Sequence, residues 1–382
     1  MRDRPFGILC VTGDQTHQEN YAAAFAADPR ARIVAVSDER DVDRRRRELN
    51  ERMAARLRVP YIADLDEALA RADVEVCCIC APPERRGRIA LRCAAARKHL
   101  YLDKSLVPSL READALVEAV RAAGVRSHMF SMITQPWAAA ARDLVATGRL
   151  GRLAGIHADF FFGKGRPGTA ALGRRRKEEF PPRNHQLAGA KRELDNVGVY
   201  PITLARWLTG KRFQTVHAIT GNYFFASYQK FDVEDFGLIT ARLQDGTPVT
   251  IAAGRFGWTS HPAGGVTRLV LAGSERTAVV DANRPRLEVY CDEPPWVPPE
   301  PDPEDPMTFW QSTADRSGAR PKRTWVPALP AARSDASYFL DCLEQGRESE
   351  LPVAEAAHAA EVLVAAYASA ARAEVVTLPL PR

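Results

Sequence analysis

Phe6-Gly7-Ile8-Leu9-Cys10-Val11-Thr12-Gly13-Asp14-Gln15 is a short apolar run that breaks off at a polar turn. Beyond it, Gln15–Ala27 reads as a helix ended by Asp28-Pro29. Arg32–Ser37 repeats the apolar run, Asp38 closes it, and the charged stretch Val42–Leu57 reads as a second helix. Strand, helix, strand and helix in this order predict parallel strands with helices on both faces. The alternation continues. Tyr61-Ile62 reads as extended and Asp64–Ala70 as helix; Val74–Cys80 is a strand ending in Ala81-Pro82-Pro83, followed by the helix Arg85–Ala96. His99–Leu102 and Arg126–Met132 are strands, and Leu110–Ala123 and Pro136–Thr147 are helices, with Gly148 and Gly151 at the turn out. The expectation over residues 1–133 is an α/β Rossmann domain, a doubly wound parallel sheet.

The second half has a different pattern. Leu153–Phe162, Thr215–Phe225, Phe236–Gln244, Val249–Phe256, Val266–Leu271 and Thr277–Asp281 read as strands, joined by turns such as Asp245-Gly246 and Ala272-Gly273. Such strands predict a C-terminal α+β domain, 134–382, with a large open, mainly antiparallel sheet. Pro294–Pro306 is proline-rich and acidic and reads as an exposed loop. Ser334–Gln345 and Val353–Ala371 are helices expected to pack back near the first domain.

The composition excludes several classes. In 382 residues, 46% are apolar and 26% charged, the balance of a soluble globular protein with room for two domains. No apolar run is long enough to span a bilayer, and the N-terminus lacks a signal-peptide pattern, so a cytoplasmic protein with no membrane partner is expected. Among seven cysteines, Cys77, Cys78 and Cys80 share one apolar run and no CxxC pair repeats, which predicts buried free thiols and no metal site. The net charge of +5 is spread among acids, so no nucleic-acid partner is expected. The Arg44–Arg47 run, flanked by Asp41, Asp43, Glu48 and Glu51, reads as a solvated helix face.

Three motifs carry candidate chemistry. In the first turn Gly13 is the one glycine of a dinucleotide fingerprint, with Cys10 and Thr12 at the places of others and Asp14 near the phosphate position. Asp38 ends the second strand where a ribose-binding acid stands, which favours NAD over NADP, although Arg40 two residues on blurs that preference; the alternative reading of Asp38 is a helix N-cap. Tyr101-Leu102-Asp103-Lys104-Ser105-Leu106 follows a strand, so Lys104 reads either as a turn lysine or as a cation at the ligand crevice. In Leu194-Asp195-Asn196-Val197-Gly198-Val199-Tyr200, Asn196 and Tyr200 lie four apart on one helix face with Gly198 between them.

These residues, in this order, resemble the glucose-fructose oxidoreductase / inositol dehydrogenase / rhizopine-catabolism (Gfo/Idh/MocA) family over nearly the whole chain. The resemblance implies a bound NAD or NADP and hydride transfer at a secondary alcohol carbon of a sugar, sugar acid, cyclitol or related polyol. The family's Glu-Lys-Pro turn corresponds to Asp103-Lys104-Ser105, with the proline replaced. Its Asp-x-Gly-x-His helix corresponds to Asn196-Val197-Gly198-Val199-Tyr200, some members carrying Tyr as here, and its later Asp is Thr203. Asp195 lies about 100° around the helix from Asn196 and does not simply substitute for the missing acid.

The expected catalytic set is therefore Lys104, Tyr200 and Asn196. Tyr200 would exchange the hydroxyl proton with its pKa lowered by Lys104, and Asn196 would bond a neighbouring hydroxyl. The expected cofactor residues are Cys10, Thr12, Gly13, Asp38, Ala81, Pro82 and Lys104. The basic segment Gly163–Arg192 reads either as a mobile lid recognising an anionic substrate or as a solvated insertion or subunit contact. Within and beyond it, Arg183, His185 and Arg255 are the expected substrate contacts, and His261 reads as a loop residue that is structural or part of the site. The resemblance also implies a homodimer or homotetramer through the open sheet, and two alternatives to net dehydrogenation. One is a sugar enzyme that oxidises, eliminates and reduces again; the other is a non-catalytic nucleotide-binding regulator.

Overall fold

The computed structural model describes residues 4–163, 168–256, 265–282, 286–290, 303 and 324–382. The first half forms six parallel strands: β1 (Phe6–Val11), β2 (Ala31–Ser37), β3 (Tyr61–Ile62), β4 (Val76–Ile79), β5 (His99–Leu102) and β6 (Ser127–Met129). Their order, β3-β2-β1-β4-β5-β6, is that of a doubly wound sheet, with the topological switch between β1 and β4. Helices α1 (Gln18–Ala26), α2 (Arg44–Leu57), α3 (Leu65–Leu69), α4 (Pro83–Ala95) and α5 (Leu110–Ala123) connect them, and α6 (Pro136–Ala146) leads out. The boundaries follow local chemistry. Asp43, Asp64 and Ser109 cap α2, α3 and α5 through their side chains, Pro83 opens α4, and Gly124 ends α5 at φ 64°.

The second half builds a nine-stranded mixed sheet. It contains β7 (Leu153–Gly163), β10 (Phe213–Gly221), β11 (Phe236–Leu243), β12 (Pro248–Phe256), β13 (Gly265–Gly273), β14 (Thr277–Asp281), β15 (Arg286–Tyr290), β16 (Thr324–Trp325) and β17 (Val376–Thr377). All neighbours pair antiparallel except β7 and β12. A small hairpin, β8 (Gln186–Leu187) and β9 (Ala190–Lys191), precedes α7 (Glu193–Thr209), which packs on β12. Two C-terminal helices, α9 (Asp335–Glu344) and α10 (Val353–Arg372), return to the first half. Phe339, Leu340 and Cys342 of α9 share a core with Phe6, Ile8, Tyr21 and Tyr101. At the start of α9, Asp335 accepts hydrogen bonds from Tyr101, His128 and Thr134.

Two local differences from the sequence expectation have physical causes. The strand expected over Thr215–Phe225 stops at Gly221 because the backbone N–H groups of Tyr223, Phe224 and Phe225 turn onto the buried Asp235 carboxylate at 2.8, 2.8 and 3.0 Å. The chain then forms the short helix α8 (Ala226–Phe231). The strand β15, which no sequence pattern marked, exists through its register with β14. The Pro294–Pro306 stretch lies almost entirely outside the described residues, as do His261 and Cys291. The other six cysteines are buried free thiols. Among the described residues no helix is long and apolar enough to cross a membrane.

The segment before α7 is fastened by a buried ion cluster. Arg176 pairs with Glu178 at 2.6 Å, and Arg192 meets both Glu178 at 2.9 Å and Glu234 at 2.7 Å. The Tyr367 hydroxyl of α10 donates to Glu234 at 2.6 Å. Burial pushes the Glu234 carboxyl up to about 7, against the pull of Arg192. Removing one member leaves uncompensated buried charge. Arg192→Met is expected to destabilise the protein by about 3–5 kcal/mol in chemical denaturation; a loss under about 1 kcal/mol would show that the cluster does not fasten the segment.

Candidate active site at the domain junction

The turn Asp103-Lys104-Ser105 leaves the carboxyl end of β5 and meets the first turn of α7. Asp103 is buried and accepts from His17 Nδ1 at 2.9 Å, the Tyr21 hydroxyl at 2.7 Å and Arg86 at 3.2 Å. Burial opposes ionisation, yet His17 and Arg86 hold this carboxyl well below the usual range. Arg86 also donates to the Ser105 carbonyl, and Ser105 Oγ donates to Asp195 at 2.5 Å. The hydroxyl thereby ties the turn to α7 where a proline would stiffen it.

Lys104 is 5% exposed. Its Nζ donates to the Asn196 carbonyl at 2.7 Å and to Asn196 Oδ1. The Asn196 amide is oriented from behind: its Nδ2 donates to Glu193 at 2.8 Å, and Glu193 also takes the Tyr228 hydroxyl and faces Arg255 at 2.9 Å. Burial pushes the Lys104 ammonium down to about 8, with Asp103 opposing and Lys191 adding to the shift. Lys104 and Asn196 line a narrow cleft together with Arg86, His185, Lys191 and Asp195. The structure therefore joins Lys104, Asn196 and His185, and adds Asp195.

Several expectations are corrected. Lys104 lies 5.2 Å from the centre of the Tyr200 ring, over its face, and burial together with Asp103 and Asp335 drives the Tyr200 phenol up, not down. Tyr200 packs between Phe130 and Phe162 and is absent from the cleft lining. Asn196 has both ends engaged within the protein and is the holder of Lys104. Asp195, set aside by helix geometry, reaches the cleft because the turn presents Lys104 to Asn196 and Ser105 to Asp195, the residue before it on α7. Arg183 is exposed outside the cleft, and Arg255 is committed to Glu193. Within the basic segment, Arg176 and Arg192 are internal ion-pair members, which removes them as ligands for an anionic substrate.

The nucleotide end lies outside the carboxyl edge of β2. Pro82 lines a cavity of about 950 Å³ there, together with Arg40, Arg46, Arg85, Arg88 and Arg92. Thr12 adopts φ 72°, the region glycine favours, so the turn keeps a glycine-type backbone, and its buried Oγ1 has no partner. Gly13 serves packing: a Cβ there would lie 2.7 Å from Asn50 Cα, so α2 rests directly on the turn. Asp14 turns away from the phosphate position into ion pairs with Arg52 and Arg56. Cys10 and Ala81 are core residues without access to a ligand, and burial pushes the Cys10 thiol up to about 12. Asp38 is fully buried behind Arg85 and Asn50. A cavity of nucleotide size, an unsatisfied hydroxyl in the turn and guanidinium donors around the cavity fit a dinucleotide.

Sequence reasoning missed Arg86, His17, Tyr21 and Glu193. His17 and Tyr21 are spaced four apart on α1, which is the one signal they carried; nothing in the sequence separates Arg86 from Arg85.

Comparison with known proteins gives a consistent picture. Residues 10–131 match the model of an oxidoreductase family with an NAD-binding Rossmann fold, and residues 138–293 match the model of the GFO/IDH/MocA C-terminal domain. No curated protein matches the chain in sequence. Solved structures share the fold. An oxidoreductase domain protein from Kribbella flavida is 20% identical with a TM-score of 0.72, covering 99% of this chain and 100% of its own. Levoglucosan dehydrogenase in complex with NADH and L-sorbose is 19% identical with a TM-score of 0.72, covering 98% and 99%. GenD2 from gentamicin A biosynthesis, in complex with NAD, is 22% identical with a TM-score of 0.71, covering 99% and 97%. Both halves of the chain thus match the two domains of one group, and the protein belongs to the GFO/IDH/MocA oxidoreductase family.

Proposed function

We propose that the protein is an NAD(P)-dependent oxidoreductase that interconverts a secondary hydroxyl and a ketone on a sugar, sugar acid, cyclitol or related polyol. The observation that carries this reading is Lys104, buried in the junction cleft and held by Asn196. When bound, the dinucleotide supplies the hydride acceptor or donor. The chain itself must then exchange the proton of the substrate oxygen.

Lys104 is the group suited to that exchange. A general acid–base works best with a pKa near the working pH, and Lys104 sits at about 8. Two of its three N–H directions are taken by Asn196, which leaves one for the cleft. As a neutral amine it takes the hydroxyl proton during oxidation; as an ammonium it returns it during reduction. The Tyr200 phenol, raised by burial, is too weak an acid for this step and supplies a ring face to the ammonium.

The amide at position 196 keeps the lysine in this range. A carboxylate in contact with Nζ would favour the charged form and remove the base.

Purified protein is expected to bind a nicotinamide dinucleotide, followed by coenzyme fluorescence. Against a panel of polyols, Lys104→Met should lose about 10²–10⁴-fold in turnover, while Tyr200→Phe stays within about tenfold of wild type. The reverse ranking would return the proton to Tyr200, and binding of neither coenzyme would end the reading.

The pH dependence has a defined sign. Oxidation requires unprotonated Lys104, so kcat/KM for oxidation should rise with pH through about 8 and then level, and that for reduction should fall over the same interval. Asn196→Asp should move the inflection upward by about 1–3 pH units. An unmoved inflection would show that another group titrates.

A further inference from the structure

The acid at the end of β2 decides how a nucleotide ribose is read. In this chain it is not available. Asp38 is fully buried. Its Oδ1 accepts from Glu39 N at 2.8 Å and Arg85 at 2.9 Å; its Oδ2 accepts from Asn50 Nδ2 at 3.0 Å and Arg85 at 3.4 Å. Four donors fill the acceptor positions of one carboxylate. Ribose hydroxyls would have to displace them, and the Arg85 charge cancels the repulsion that an ionised Asp38 would exert on a phosphate.

The guanidinium groups around the cavity differ in their compensation. Arg40 pairs with Asp64, Arg85 with Asp38 and Glu39, Arg88 with Glu39, and Arg92 with Asp66. Arg46 has no carboxylate partner among the described residues. It donates to Asn50 Oδ1 at 3.1 Å and to the Asp14 carbonyl at 2.5 Å, both neutral acceptors. Burial, and after it the nearby Arg85 charge, hold this half-buried guanidinium below its ordinary value even though Asp38 pulls the other way. Its place is equally specific. Asn50 links it to Asp38, and its bond to Asp14 sets it beside the turn after β1. An uncompensated planar cation at that point is built to take a phosphate.

We infer that the chain binds the 2′-phosphorylated dinucleotide NADP(H) in preference to NAD(H), with Arg46 holding the 2′-phosphate. The inference rests on the reading above that the first domain binds a nicotinamide dinucleotide, and it reverses the preference that Asp38 suggests from sequence alone. Acids also line the cavity: Glu39, Asp64 and Asp66 are each engaged by an arginine, Asp43 caps α2 by accepting from Arg46 N, and Asp41 is exposed to solvent.

Titration calorimetry of the full chain with NADPH and with NADH tests this without turnover. The wild type should bind NADPH at least tenfold more tightly than NADH. Arg46→Ala should weaken NADPH at least tenfold and NADH less than threefold, with Arg46→Lys between wild type and Arg46→Ala. Arg85→Ala should also move the ratio toward NADH, since it uncovers the Asp38 carboxylate for a ribose and removes the charge that offsets it. Equal or tighter NADH binding by the wild type overturns this inference and leaves the proposed oxidoreductase function standing. Failure to bind either coenzyme overturns both, and an unchanged ratio in Arg46→Ala overturns the assignment of Arg46.

Discussion

A buried carboxylate must be surrounded by donors, and Asp103 meets that requirement by drawing three parts of the chain to one point. His17 and Tyr21 arrive from α1 and Arg86 from α4, so the turn after β5 can take few other shapes. With the turn fixed, its next two side chains reach the second domain: Lys104 to Asn196 and Ser105 to Asp195. Where the turn meets α7 the junction between the domains is therefore polar, within apolar clusters that run through both halves. Arg86 shows the reciprocal dependence. It is 2% exposed, and without Asp103 its charge would stand alone in the interior.

The replacements that separate this chain from the family pattern compensate one another. Serine at 105 gives up the stiffness of proline and gains a hydrogen bond to the acid at 195. Asparagine at 196 gives up a charge and, steered by Glu193, keeps the contact with Lys104. The lysine is thus held by two hydrogen bonds without a carboxylate that would lock it in its charged form.

Much of this was legible in the sequence. Apolar runs of strand length and intervening helical segments marked the parallel sheet, because those signals are local. The grouping of Lys104 and Asn196 in one site was legible through the family resemblance, but their direct contact, with Asn196 holding the ammonium, was not. The unread parts depend on partners far apart in sequence. Arg85 reaches Asp38 across 47 positions, and Glu178 reaches Thr220 across 42. A basic residue looks the same in sequence whether it is solvated, like Arg183, or locked inside, like Arg192. The orientation of Tyr200 was lost for a related reason: helix spacing places it on the same face as Asn196, but Phe130 and Phe162 decide where its ring lies. The helix Ala226–Phe231 depends on a carboxylate contributed by Asp235, several residues later.

Helix α4 has a position that goes beyond its place in the fold. Arg85, Arg88 and Arg92 on one side face the nucleotide cavity, while Pro83 and Arg86 on the other face the Lys104 cleft. Between them, Glu84 receives the backbone N–H of Gln186 in the hairpin before α7. One helix thus separates the cavity from the cleft and holds the hairpin that borders the cleft. Substitutions that tilt or shift it alter the cavity and the cleft together, so at this wall neither can be reshaped alone.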